Sequence, residues 1–228
     1  MPVFLMPRPT VPGFTFSPPF DPRVPDRLPE DARQDDWLEM ADVILDTGNL
    51  NVVSGRFREA VEALEPGIHA FHPLTMRDKA GETGFGEWFL FECGQTVPAV
   101  LSRKSGFDGR WQNDYFGRPH HGLSSAKRDG LYLSRPEIAG RHLFANLFHG
   151  PSALVVSDEL TVRLEPLDLR HVGIVSAEAV DEPWDVRAEI GPWLDWVGEN
   201  RDWIREHQPG TAERVLALHE RYKARLER

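Results

Sequence analysis

Ser54 and Ser157 stand 103 residues apart, and the sequence repeats itself around them. Each serine follows a valine, Val53 or Val156. Apolar residues recur three and seven places on: Phe57 and Val61 after the first, Leu160 and Leu164 after the second. A glutamate follows at eight, Glu62 and Glu165. A serine hydroxyl can accept an orphan amide hydrogen bond at a helix start, so both serines read as N-caps. The spacing of three and four puts each apolar pair on one helix face. Pro66-Gly67 ends the first helix and Pro166 the second. A β-type run follows each, Ile68 to Phe71 and His171 to Val175. The pattern reads as a repeated helix-then-strand unit. Two unrelated capped helices would also produce it by chance, because capping patterns recur widely.

Between the echoes lie further strand-like runs. Glu87 to Glu92 is aromatic-rich and bounded by Gly86 and Gly94. Val97 to Leu101, Leu131 to Leu133 and Ala153 to Val156 also read as strands. Asp36 to Ile44 reads as a helix, with Asp35 or Asp36 near its start. Residues 103–130 carry five glycines and little periodicity, as a long loop or lid would. From Pro192, the positions Trp193, Trp196, Val197, Trp203 and Ile204 fit a helix with Pro192 in its first turn. Pro209-Gly210 breaks it, and Thr211 caps a last helix with Val215, Leu218, Tyr222 and Leu226 on its apolar face. The fold class is α+β: a mixed or antiparallel sheet, flanking helices, the repeated helix-strand unit and a helical C-terminal hairpin.

Nine of the 19 prolines fall within residues 1–29. They fix extended geometry and interrupt every apolar stretch, so no signal-peptide core is read there. The segment reads as a strap pinned by Phe4, Phe14, Phe16 and Phe20, or else as a disordered tail. Three parts result: an extended strap over 1–34, an α+β domain over 35–180 and a helical appendage over 181–228. No apolar run approaches the roughly 18 residues of a membrane helix. A single cysteine, Cys93, allows no intrachain disulfide and fits a reducing compartment, so the expected location is the cytoplasm.

No cluster announces a reaction. One cysteine excludes CxxC metal sites, and no HExxH occurs. His69 and His72 are three apart in a strand-like run and point to opposite faces. His120-His121 lies in the glycine-rich loop, and His142 and His149 are seven apart around a turn. The glycines of Gly81 to Gly86 lack phosphate-loop spacing and read as a tight turn. Gly122 to Ala126 lacks the second glycine of a nucleophile elbow. Cys93 reads as a small core residue. Asp35-Asp36 and Asp181-Glu182 read as solvated helix starts. No catalytic, metal or cofactor-binding residue is expected.

Charge is distributed unevenly. The net charge is −10. Residues 158–206 hold 13 acidic and five basic side chains, −8 of that total, together with Trp184, Trp193, Trp196 and Trp203. Tryptophan ringed by carboxylates suits a binding surface. An ordinary amphipathic helix that buries its tryptophans and solvates its acids fits the same pattern. The candidate partner-binding residues are Trp184, Asp185, Glu189, Trp193, Asp195, Trp196, Glu199, Asp202 and Trp203. Residues 101–141 run the other way, with eight basic and four acidic side chains. With Trp111, Tyr115 and Phe116, that loop can touch nucleic acid or neutralise the chain's own acidic face.

Three blocks resemble a known family. Ala41 to Ile44 with Thr47-Gly48, Val53-Ser54, Phe57 and Leu64 form the first. Trp88 to Phe91, Val97 to Leu101 and Arg103-Lys104-Ser105 form the second. Gly140 to Phe144 followed by Val155 to Leu160 form the third. In order and spacing, over roughly residues 36–178, they resemble the bacterial immunity proteins found beside polymorphic toxins. The resemblance implies a cytoplasmic, non-enzymatic antidote, a monomer or homodimer. It would bind a cognate protein toxin and block its active site or substrate path, with no cofactor and no direct nucleic-acid or membrane contact. An acidic partner gains on-rate and orientation against the basic cleft of a nucleic-acid-targeting toxin. The competing reading is an enzyme whose site assembles from His142 or His120 with Cys93 or Asp114.

Overall fold

Five strands precede the first helix in the computed structural model, which describes residues 2–7, 14–17, 28–34, 40–47, 50–78, 80–105, 112–113, 119–120, 131–146, 154–209 and 212–227. The N-terminal segment supplies β1 (Val3–Pro7), β2 (Phe14–Ser17) and β3 (Asp31–Gln34). Next come β4 (Val43–Thr47), β5 (Leu50–Ser54), α1 (Gly55–Glu62), β6 (Ala70–Arg77), β7 (Trp88–Glu92) and β8 (Thr96–Val97). A short pair, β9 (Gln112–Asn113) and β10 (Pro119–His120), precedes β11 (Leu131–Ser134), α2 (Arg135–Ile138), β12 (Leu143–Asn146) and β13 (Leu154–Val156). Then follow α3 (Asp158–Leu164), β14 (Val172–Val180), α4 (Val186–Glu199), α5 (Arg201–His207) and α6 (Ala212–Leu226). The chain is α+β, as its sequence pattern indicates.

Both serines cap helices as their spacing predicts. Ser54 Oγ accepts the Phe57 amide at 3.3 Å, and Ser157 Oγ accepts the Leu160 amide at 3.2 Å. Phe57 and Val61, and Leu160 and Leu164, are the buried residues of α1 and α3.

The echo extends to the sheets. One sheet runs β4-β5-β7-β6-β3-β2 and the other β8-β12-β13-β1-β14-β11. Without the outer strands β2 and β8, the two share one plan. A hairpin pairs antiparallel with a middle strand. The middle strand pairs antiparallel with the strand after the helix, which pairs parallel with an edge strand. The registers agree as well. Val53 pairs with Phe89, and Phe89 with Pro73. Val156 pairs with Val3, and Val3 with Ser176. Val53 and Val156 are 103 residues apart, as are Pro73 and Ser176. The protein thus has two lobes of one design. In lobe one the middle strand is β7; in lobe two it is β1.

The lobes share a core. It takes equivalent residues from each: Val43 and Leu143, Val53 and Val156, Phe57 and Leu160, Val61 and Leu164. Burying each large side chain contributes roughly 1.5–3 kcal/mol. The opposite faces of the sheets have their own cores, one with Ile44, Val52 and Leu74, the other with the equivalent Phe144, Val155 and Ala177.

Several local expectations change. The helix expected over Asp36 to Ile44 is not continuous: Val43 to Leu45 lie in β4, fully buried between two cores. An aliphatic run buried on both faces favours a strand over an amphipathic helix. Residues 35–39 lie outside the described residues. The strand expected over Val97 to Leu101 stops at Val97, because Pro98 has no amide for the ladder; Val100 then bridges to Leu133. Helix α4 begins at Val186, not Pro192, with Asp185 accepting the Ala188 amide at 2.6 Å as its cap. Pro192 and Ala188, whose carbonyl the proline cannot bond, are both exposed. The buried stripe of α6 is Ala212, Leu216, His219 and Tyr222, and Leu226 is exposed. Thr211, the strap side chains Phe14, Phe16 and Phe20, and the loop residues Trp111, Tyr115 and Phe116 lie outside the described residues.

The C-terminal helices have their own interior. Trp184, Ile190, Leu194, Val197, Ile204, Leu216 and Tyr222 pack together, with Leu101 and Tyr132 as the link to lobe two.

Candidate functional site

Two polar clusters join the lobes at equivalent places. In lobe one, Asp42 precedes β4, and its carboxylate accepts from the Ser54 hydroxyl at 2.5 Å, Arg56 at 3.1 Å and the Asp168 amide at 2.8 Å. In lobe two, His142 precedes β12, and its Nδ1 lies 2.9 Å from Ser157 Oγ and 4.0 Å from Glu159. The serines bond back in the same way: Ser54 N–H to the Asp42 carbonyl, Ser157 N–H to the His142 carbonyl. Chemistry is exchanged between the copies. A carboxylate with an arginine in one lobe answers an imidazole with a carboxylate in the other.

Each cluster reaches into the opposite lobe. Asp42 exchanges two bonds with the backbone of Asp168, beyond α3. Glu65, beyond α1, accepts the amides of His142 at 2.8 Å and Leu143 at 2.9 Å. Gln95 and His69 also donate to it, at 2.7 and 2.9 Å. His69 Nδ1 accepts the Gly94 amide at 3.2 Å, which leaves the Nε2 hydrogen for Glu65. Burial pushes the Glu65 carboxyl up. The bonds from His69, His142 and Gln95 outweigh it and hold the group below its ordinary range. Glu65 and Asp168 both stand 11 places after their capping serine. An acid at that place in each echo was the sequence signal for this pair, and helix-capping logic alone passes over it.

These clusters are structural in their bonding. Ser157 Oγ caps α3 while touching His142, and no second group orients the imidazole through its Nε2 among the described residues, as a relay would require. Cys93 donates to the Gln95 carbonyl at 3.2 Å, and burial pushes its thiol up to about 11, away from the thiolate a nucleophile needs. Asp114, His149 and the side chain of His120 lie outside the described residues. Among the described residues no group of three His, Cys, Asp or Glu side chains is placed to hold a metal ion. A half-open cleft of about 440 Å³ beside Ser157 is lined by Arg135, Arg141, Asp158 and Glu178 over Ile138 and Phe144. Arg135 is already tied to Asp181 at 2.7 Å, and Arg141 bonds the Glu137 carbonyl.

The nine acidic and tryptophan candidates divide by burial. Trp184, Glu189 and Trp193 are buried. Trp184 packs on Tyr222 with the Arg225 guanidinium over its ring. Glu189 accepts the Ser102 amide at 2.9 Å, and burial pushes its carboxyl up. Trp196 and Trp203 are half-buried and meet edge to face at 5.9 Å, and Trp203 stacks on His207 at 4.7 Å. Asp185, Asp195, Glu199 and Asp202 are exposed. Asp185 caps α4, Asp195 pairs with Arg187 at 2.8 Å, and Asp202 with Arg205 at 3.1 Å. Glu199 has no ion pair among the described residues. The 101–141 segment answers part of the acidic stretch: Lys104 pairs with Glu182 at 3.0 Å and Arg135 with Asp181. Apart from Asp185 at the cap of α4, the candidates that keep solvent exposure are Asp195, Trp196, Glu199, Asp202 and Trp203 on α4 and α5, a set termed the ledge.

No helix among the described residues is long and apolar enough to cross a membrane. The family model described as "Immunity protein family (Imm11)" matches residues 7–178, which takes in both lobes apart from β1 before Pro7 and the end of β14, and leaves out the C-terminal helices. No curated protein matches the chain.

Proposed function

The chain belongs to the immunity protein family, and on that footing we propose that it protects a bacterial cell by binding a cognate protein toxin in the cytoplasm and covering the toxin's active site or substrate path. It makes and breaks no bonds itself. The family match over residues 7–178 carries this reading. The bonding of the serine clusters and the raised Cys93 thiol support it, because neither offers an activated nucleophile.

The docking surface in this reading is the ledge of Asp195, Trp196, Glu199, Asp202 and Trp203. Aromatic faces bordered by carboxylates suit a basic partner surface. Trp184 and Trp193 pack in the interior of these helices, and Glu189 ties α4 to Ser102. The test takes candidate toxins from the genes flanking that of this protein and measures their activity and affinity with the wild-type chain and with Asp195, Glu199 and Asp202 all changed to Lys. The reading expects wild-type inhibition, and for the triple variant at least tenfold weaker binding with a flatter salt dependence. Inhibition that survives the triple change unaltered would move the contact elsewhere. A set of candidates of which none binds or is inhibited would end the antidote reading itself.

A further inference from the structure

Lobe two contains a slot for one strand. Between β13 and β14 the sheet is closed only by β1, which pairs antiparallel on both sides: Val3 to Leu5 with Val156 to Leu154, and Val3 to Pro7 with Ser176 to Val172. The Ala177 amide adds a bond to the Pro2 carbonyl at 2.9 Å. Without β1, two strand edges would face each other across two strand spacings, roughly 9–10 Å, with their amides and carbonyls unpaired. In lobe one the equivalent position is filled by β7, the strand that follows β6 in sequence. In lobe two the filler comes from before lobe one, so the lobe is complete only when a distant segment docks. That segment, Val3-Phe4-Leu5-Met6-Pro7, carries no charge, and Leu5 is buried in the shared core with Leu154 and Val172.

We propose that the β13–β14 slot is a strand-receiving site whose occupant exchanges between molecules: the N-terminal strand of a second copy of this chain fits it, giving a reciprocally swapped dimer. Backbone pairing gives affinity in such strand addition, and the pocket for Leu5 gives register. Exchange of an identical element creates no new contact, so its equilibrium is set by concentration. The asymmetry between the lobes confines it to lobe two.

A fluorescent peptide of residues 2–8 serves as the probe, with the full-length chain. The wild-type chain takes up the peptide slowly, at the rate its own strand opens. A full-length Leu5→Asp chain, its own strand loosened, binds the peptide at least tenfold faster, and binding restores hydrogen-exchange protection at 154–156 and 172–176. A peptide that itself carries Leu5→Asp does not bind. Where Leu5→Asp does not fold, Leu5→Ala gives the same order of rates with a smaller difference. Refolding two differently tagged copies together at high concentration yields a mixed dimer. The proposal is overturned if the Leu5 variants ignore the peptide while β5 and β7 stay protected. It is equally overturned if exchange rises as much in lobe one as in lobe two, or if no mixed dimer forms.

Discussion

The carboxylate of Glu65 lies 2.8 Å from the amide nitrogen of His142, so a side chain of lobe one terminates a strand of lobe two. Glu65→Gln would turn a donor toward amide donors inside the protein. The expected cost is about 1–3 kcal/mol, a fall in Tm of roughly 2–4 °C per kcal/mol for a chain of this size. The pH dependence has a definite sign. The folded carboxyl is held below its unfolded value. Its contribution is therefore complete above the unfolded value of about 4.3 and fades as pH falls through the folded one. Glu65→Gln should lose less stability on acidification than wild type, read from denaturant midpoints.

Glu189 should behave in the opposite sense. Burial pushes its carboxyl up, so the folded state holds the proton to higher pH than the unfolded state does. Stability then declines as pH rises from about 4.3 through the raised value and levels off beyond it. Glu189→Gln keeps an acceptor for the Ser102 amide and removes the charge. At neutral pH it should equal or exceed the wild type in stability, with that decline absent. A variant that melts lower at pH 7 would contradict this.

At Gly94 the chain has no room for a side chain. A Cβ there would meet the Ile68 carbonyl oxygen at 1.9 Å, against backbone that also carries His69 and its bond to Glu65. Gly94→Ala is expected to destabilise by about 1–3 kcal/mol, in the range of overpacking. Gly67→Ala, with open space around its Cβ but φ at +69°, separates backbone strain from this clash. Thermal melts of both variants compare the two effects, and Gly94→Ala should be the more damaging.

Two tryptophans of the same segment should part company. Trp184 is 4% exposed, and Trp184→Ala should cost about 3–5 kcal/mol in stability. Trp203 is half-buried on the ledge, so Trp203→Ala should cost less than about 2 kcal/mol and weaken toxin binding at unchanged fold. Circular dichroism melts beside toxin affinities test both. A Trp203→Ala chain with wild-type affinity would remove this residue from the contact.

The capped helices, the β7 strand and the α+β class were legible because each is a local pattern: Ser54 and Ser157 need only the residues three to eight places on. The immunity-family resemblance was legible for the same reason, as short blocks in a fixed order. Other features depend on partners far along the chain. Val43 to Ile44 looks helical beside Trp37 and Met40, and only burial between two cores makes it a strand. Nothing local marks Val3 to Pro7 as the middle of a sheet, since its neighbours are residues 154–156 and 172–176. Clustering of tryptophan with acid singled out the C-terminal helices, but composition does not say which ring points inward. Trp184 and Trp203 differ in that respect because of where Tyr222 and His207 lie.

The helices after Val180 pack around an interior of their own and touch the lobes through Leu101, Tyr132, the Glu189–Ser102 bond and the Arg225–Glu137 ion pair. If the toxin docks there, sequence drift on the outward face of α4 and α5 leaves the double-lobed body intact. An antidote could then follow a changing poison by altering its grip while its frame is inherited unchanged.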